Sequence, residues 1–329
     1  MQSRRRFLAA SAAGLATTLS GLSPQAFAQQ GKTVRIVVGF PAGGGTDVIA
    51  RLIAEKLRGS YAPAVIVENR VGAAGRIGID YVKNSDPDGN TMLFTPDFLM
   101  TVYPHSFRKL GYDPLRDFTP VATCAKSMLT ITAGPGLPSN VNTVPEFVQW
   151  CKANPKQASY ATTSAGATPH FVGVMLSKAT GVDMTAVHYK GGAPALQDLL
   201  GGQIPVSMNP VGEVLPYVKS GKIRVLAVTG AKRSMFLPDV PNMVESGYRD
   251  IVVEAWLGFF VPSRTPADAV SRLAMAIGEA ARSDEVSQSF LKFGNEVSVT
   301  TGANFVSLVR SDIERWGPVV KASGFTAED

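Results

Sequence analysis

From residue 34 onward, compact apolar runs alternate with stretches in which apolar residues recur every three or four positions. Residues 34–38 (VRIVV) read as a buried strand. Val48, Ile49, Leu52, Ile53 and Leu57 follow at helical spacing, and Gly59 supplies a stop. Residues 65–67 and 91–94 are further strands. Between them lie a glycine loop at 72–75, a short helix reaching Lys83 and a DPDG turn at 86–89. A second series starts near Ser127, with a strand at 128–133 and a capping box, TVPE, opening a helix at 143–146. A strand at 159–162 runs into a Ser/Thr/Gly loop at 164–170 and a helix from Phe171. The segment 187–189 leads through KGGAP to a helix stopped by Gly201 and Gly202. Strands are expected at 205–208 and 224–228, and an extended segment at 251–261. After it, Thr265 as N-cap, Pro266 at N1 and Asp268 in the first turn start another helix.

This alternation predicts an α/β protein with mainly parallel strands. No tandem repeat, low-complexity tract or flexible linker interrupts it, so two lobes joined by ordered crossing segments fit better than two independent beads. The expected division is a leader at 1–28, a first lobe at 29–126 with 254–329, and a second lobe at 127–253. Removing the leader leaves about 300 residues, more than a single core usually serves.

The N-terminus supplies the address. Arg4, Arg5 and Arg6 precede a weakly apolar stretch, and Ala26-Phe27-Ala28 is a small-x-small site, so cleavage before Gln29 and export to the periplasm are expected. The run SRRRFL fits both a twin-arginine signal and an ordinary secretory leader. The leader carries three arginines and no acids, so net charge falls from +6 to +3 on its removal. That excess is no nucleic-acid footprint. Cys124 and Cys151 are the only cysteines. A disulfide between them and two free thiols both stay open, while no spacing suits a metal or redox pair.

The candidate chemistry centres on GFPAGGGTD at residues 39–47. A P-loop would need a lysine that this segment lacks, and the dinucleotide fingerprint fails at Val48. What remains is a strand-to-helix junction rich in accessible N–H groups, where a helix N-terminus favours an anion. Asp47 would repel that anion unless it caps free amides or acts through water. A tight turn with no ligand is the other reading. Ser164 and His170 suggest a hydrolase, but the nucleophile elbow would need glycine where Thr162 stands, and no acid accompanies His170. Hydroxyls that bind a ligand, or helix capping by Thr168, account for the same loop. Asp97 follows a buried strand end, the place where open α/β sheets bind ligands, and a turn-capping role is equally open. Trp150, Trp256 and Trp316 read as packing residues, with Trp256 on a segment that returns toward a cleft.

Together these segments resemble the Bug/TctC-type extracytoplasmic solute receptors of tripartite tricarboxylate transporters. The resemblance is carried by VGFPAGGGTD with Ala50-Arg51, Glu68-Asn69-Arg70, GRIG at 75–78, DPDG at 86–89 and Tyr112-Asp113-Pro114. It continues through Ser164-Ala165-Gly166 to His170, HYKGGAPA at 188–195, RVLAV at 224–228 and LPDVP at 237–241. It implies a two-lobed, flytrap-like periplasmic binding fold that closes on a small di- or tricarboxylate or aromatic acid. It also implies membrane transporter components as partners. Carried over, the pocket comprises Pro41, Ala42, Gly43, Gly44, Thr46 and Asp47, with Thr95 and Asp97 beside them and Ser164, Ala165, Gly166 and Thr168 opposite. Where such receptors usually place small residues, Thr95-Pro96-Asp97-Phe98 puts an acid and an aromatic. Phe98 would stack on an aromatic acid and Asp97 would select an amino or hydroxyl group. No catalytic residue, cofactor, metal or nucleic acid is expected, and a monomer is. The alternatives are a periplasmic hydrolase using Ser164 and His170, or a ligand-sensing partner of a signalling protein.

Overall fold

The computed structural model describes residues 33–327. The leader, its cleavage site and the arginine run lie outside the described residues. Val34–Val38 forms β1, and Val65–Asn69 (β2) and Thr91–Pro96 (β3) pair with it in parallel on either side. Helices Gly45–Leu57 and Arg76–Lys83 make the crossovers. Phe118–Ala133 is a single 16-residue strand, β4, whereas the apolar pattern predicted only its second half. Its first half is hard to read because Pro120 falls within it and two register shifts against its neighbour interrupt the alternation.

β4 joins the lobes. Residues 118–128 pair antiparallel with β9 (Glu254–Pro262), which itself runs antiparallel to β3. From Leu129 onward the same strand enters the second sheet. There it lies between β7 (Val206–Pro210) and β8 (Arg224–Val228), antiparallel to both. β5 (Ser159–Thr162) is parallel to β7, and β6 (Thr185–His188) is parallel to β5. β10 (Glu296–Val297) adds a short pairing to β4. The result is the expected two-lobed α/β fold, but each sheet is mixed: β2-β1-β3 and β6-β5-β7 pair in parallel, whereas every pairing made by the crossing strands β4 and β9 is antiparallel.

Both faces of each sheet are covered, so the inner strands β3, β4 and β7 are buried over most of their length rather than alternating. In the first lobe, Ile36, Ile53, Phe94, Phe259 and Ile277 form one core, and Leu93, Trp256, Phe260, Phe305 and Val309 form the other. The second lobe packs Ile131, Phe147, Tyr160, Phe171 and Met208 on one face and Ala161, Leu196 and Val214 on the other. The helix Gly302–Ser323 spans the two lobes. Phe305 and Val309 pack in the first, while Trp316 and Val320 lie in the core of the second.

Cys124 and Cys151 are both free and buried in different cores. The disulfide alternative is therefore removed. Burial pushes both thiols up, Cys151 to about 12. The capping box forms as expected, with Thr143 and Glu146 exchanging bonds. Thr265 does not cap: its hydroxyl donates to the Pro262 carbonyl at 2.8 Å, and the helix Ala267–Arg282 starts after Pro266.

Candidate functional site

The C-terminal ends of β1, β3, β5, β6 and β7 all open into one cavity of about 560 Å³ between the lobes. This is where a parallel sheet places its loops and helix starts. A larger groove, about 820 Å³, lies on the outer side of the first lobe. It shows Asp80, Asp86 and Asp88 against Arg35, a poor setting for an anion.

Asp47 governs the first-lobe wall. Shielded from solvent although near the surface, its Oδ2 accepts from the Gly43 amide at 2.8 Å and from Arg51 Nε at 2.9 Å. Its Oδ1 accepts from Asn69 Nδ2 at 2.8 Å, and the same nitrogen contacts the Phe40 carbonyl at 3.0 Å. Burial works to raise this carboxyl, but the bonds from Arg51, Gly43 and Asn69 outweigh it and hold Asp47 below the usual range. The acid thus folds the loop back on itself and spends its charge there. Gly43 lies at φ +83°, the left-handed region that glycine adopts freely. Gly39 has a different reason: a β-carbon there would sit 2.7 Å from the Gly75 carbonyl, so the two glycine loops pack backbone to backbone.

With Asp47 turned inward, the helix Gly45–Leu57 begins without a side-chain cap. Its first intrahelical bond is donated by Val48. The amides of Gly45, Thr46 and Asp47 therefore have no carbonyl of the helix to bond. Gly43, Gly45 and Thr46 line the cavity. Across it, the helix Thr168–Thr180 also begins without a side-chain cap, from Ala167. Thr168 is buried and lines the cavity, and its hydroxyl has no hydrogen-bond partner, so the capping reading fails. Ser164 lines the same wall. Between the two walls, Phe40, Phe98, Tyr103, Leu129 and Trp256 supply apolar surface.

Of the residues expected here, Gly43, Thr46, Ser164 and Thr168 thus come together. Pro41, Ala42 and Gly44 are exposed on the loop but do not line the cavity, and Ala165 is exposed outside it. Gly166 is buried against the Phe325 ring. Thr95 is buried, with its hydroxyl on the Pro96 carbonyl at 3.2 Å. Asp97 does not line the cavity, although Pro96 and Phe98 on either side of it do. It is fully buried, and neither oxygen makes a hydrogen bond. Desolvation first, then the neighbouring Asp312 charge, pushes its carboxyl up to about 8, against weaker opposition from Arg315 and nearby amides. Asp312 in turn accepts from the cleft residue Trp256, Nε1 to Oδ2, at 2.9 Å.

Residues 49–325 match the family model described as tripartite tricarboxylate transporter family receptor. The chain belongs to this receptor family. It is 31% identical over 294 residues to Protein BugT of Bordetella pertussis, covering 89% of this chain and 90% of BugT. Among solved structures it resembles R. palustris Rpa4515 with adipate, at 31% identity and TM-score 0.81, covering 90% of this chain and 98% of that one. It also resembles MatC from Rhodopseudomonas palustris with bound malate, at 30% identity and TM-score 0.77, covering 88% and 99%.

The receptor is a solute-binding protein and not an enzyme, as its family membership establishes. The suspected catalytic pair has other partners. Ser164 Oγ donates to the Ala165 carbonyl at 3.3 Å, while His170 Nδ1 accepts from the Gly166 amide at 3.3 Å. His170 is packed against Phe171, His188 and Phe325, and burial, helped by His188, lowers it to about 4. It holds the loop in shape as a neutral ring. Among the described residues, no group of three or more His, Cys, Asp or Glu is placed to hold a metal. Nor is any helix there long and apolar enough to cross a membrane.

Sequence reasoning missed Glu213, Asn295, Phe293 and the Gly191-Gly192 pair, all of which line the receptor's cavity. The glycine pair carried a signal, because KGGAP repeats the strand–glycine–helix arrangement of the first loop. Glu213 carried none: it reads as an ordinary exposed acid in a helix.

Proposed function

We propose that the receptor captures a small organic carboxylate in this cleft and presents it, as a periplasmic monomer, to the membrane components of a tripartite tricarboxylate-type transporter. The observation that carries the reading is the pair of uncapped helix starts, at Gly45 and Thr168, opening into one cavity without a lysine or arginine in its lining. Backbone amides and the Thr168 hydroxyl are the donors for the anion. Pre-placed amides lose little freedom on binding, and lobe closure removes competing water. Adipate in Rpa4515 and malate in MatC support the ligand class. The apolar middle of the cavity favours an aliphatic or aromatic body, with Phe98 positioned to pack on it. The arginine-bearing leader supports export, by either secretory or twin-arginine route, and cleavage before Gln29. Lobes at 29–126 with 254–329 and at 127–253 would close about the β4 and β9 crossings, with the helix Gly302–Ser323 limiting their swing.

A thermal-shift panel of mono-, di- and tricarboxylates on the mature protein tests this. A one-site ligand at roughly a hundredfold excess over its Kd stabilises by about 2.7 kcal/mol, and it should be recovered unchanged. A panel without any stabilising carboxylate would sink the reading.

A further inference from the structure

We propose that Glu213 is a specificity-determining residue that accepts a hydrogen bond from an ammonium group, so that the ligand class is an amino-carboxylate with an apolar body. The inference deepens the carboxylate reading and rests on it. Among the residues lining the cavity, Glu213 alone is acidic or basic. It stands in the first turn of the helix Val211–Lys219, which follows β7. That places it on the second-lobe wall, open to the cleft yet crowded by protein, and the crowding raises its carboxyl.

Its carboxylate lies against Gly192, where a β-carbon would collide with both oxygens. Gly192 begins the helix Gly192–Leu200, a further helix start that borders the cavity. An acid of the protein therefore occupies the position where a second ligand carboxylate would look for amides. A dicarboxylate reaching this far brings two negative charges together in a crowded site; an ammonium brings opposite charges together.

The acid is also held in place. Asn209 Nδ2 donates to Glu213 Oε2 at 2.8 Å, and Asn209 is fixed by Ser207 Oγ on its Oδ1 and by Thr130 Oγ1 on its carbonyl at 3.1 Å. Glu213 Oε1 accepts no bond from the described residues, and no lysine or arginine among them pairs with the carboxylate. A carboxylate with one oxygen anchored and the other unbonded, on a residue that lines a ligand cavity, is an acceptor awaiting a donor. The role foreseen for Asp97, choosing a ligand with an amino group, passes to a residue that reaches the cleft.

Matched probes test this by calorimetric titration at neutral pH: 5-aminopentanoate against adipate, and 4-(aminomethyl)benzoate against terephthalate. Each pair exchanges one carboxylate for an amine on a comparable body. The wild-type protein should prefer the amine member of at least one pair by about tenfold or more, the worth of one charge-assisted bond. Glu213→Gln keeps a side chain of the same size and should erase most of that preference. Glu213→Asp, which retains the charge, should keep the preference even if affinity falls. If glutamine does not fold there, the wild-type preference decides alone. Dicarboxylates that bind at least as well as their amino partners, or a preference unchanged in Glu213→Gln, would overturn this inference and leave the carboxylate cleft standing. Failure of all four probes together with the wider carboxylate panel would overturn both.

Discussion

Two junctions of the first lobe pose the same local problem and solve it in opposite ways. β1 and β3 are adjacent parallel strands, and each ends in a helix with an aspartate in its first turn, Asp47 and Asp97 respectively. Both carboxylates are shielded from water. Asp47 meets three donors: a glycine amide four residues back, Arg51 one turn along and Asn69 at the end of the neighbouring strand. Asp97 makes no well-formed hydrogen bond, gets only weak support from Arg315 and nearby amides, and has a second buried acid, Asp312, nearby. The result is a charged aspartate that shapes the ligand loop and a neutral one that lies in the wall behind it. An acid at a strand end thus has no role of its own; the partners that neighbouring elements bring decide it.

Removing the charge separates the two junctions most clearly at Asp97. Its folded value is raised to about 8, from about 4 in an unfolded chain. Between those limits the folded state holds a proton that the unfolded state has released, so stability falls as pH rises through the window. Asp97→Asn should raise stability near pH 8 by several kcal/mol, since each pH unit across that window costs the wild type on the order of 1.4 kcal/mol before relaxation. It should also flatten the pH dependence above pH 4. Denaturant melts at pH 5 and pH 8 check this; an asparagine variant less stable than wild type at pH 8 would mean the carboxylate is charged and paired.

Asp47 should respond in the other direction. Its folded value is lowered, so its contribution is present above about pH 4 and lost as pH falls through the folded value. Asp47→Asn replaces one acceptor oxygen with an amide NH2 that must face at least one of the three donors. A loss of about 2–3 kcal/mol at neutral pH is expected, with weaker ligand binding as the loop loosens. Arg51→Gln gives the smallest effect. The Arg51 side chain is 51% exposed, so solvent screens much of the ion pair, and about 1 kcal/mol or less should be lost. A loss at Arg51 exceeding that at Asp47 would break the assignment of Asp47 as the centre of the junction.

Much of the fold was legible, because buried parallel strands and amphipathic helices leave different periods in the chain. β1, β5 and β8 fall where the apolar runs end, and the capping box at Thr143 forms as read. The glycine loops were legible as junctions, and the first of them uses Gly43 at positive φ. What escaped depends on contacts distant in sequence. The first half of β4 gets its register from β9, more than a hundred residues away. The C-terminal helix brings Asp312 beside Asp97, and the place of Glu213 in the cavity wall depends on β7 lying between β4 and β5. No local pattern encodes such a neighbour.

In the proposed binding mode the helix start at Gly45 takes the ligand carboxylate on its backbone amides. Gly45 lines the cavity, and a β-carbon there meets no protein atom within 4 Å. Gly45→Val therefore adds bulk to the ligand's approach and not to the packing. Calorimetric titration of wild type and Gly45→Val with the best carboxylate of the panel, with melting curves alongside, is the direct test. The expected result is a folded variant that melts within a few degrees of wild type and binds about tenfold to a hundredfold more weakly, the worth of one or more bonds to a charged group. A folded Gly45→Val protein with wild-type affinity would contradict it and place the carboxylate elsewhere.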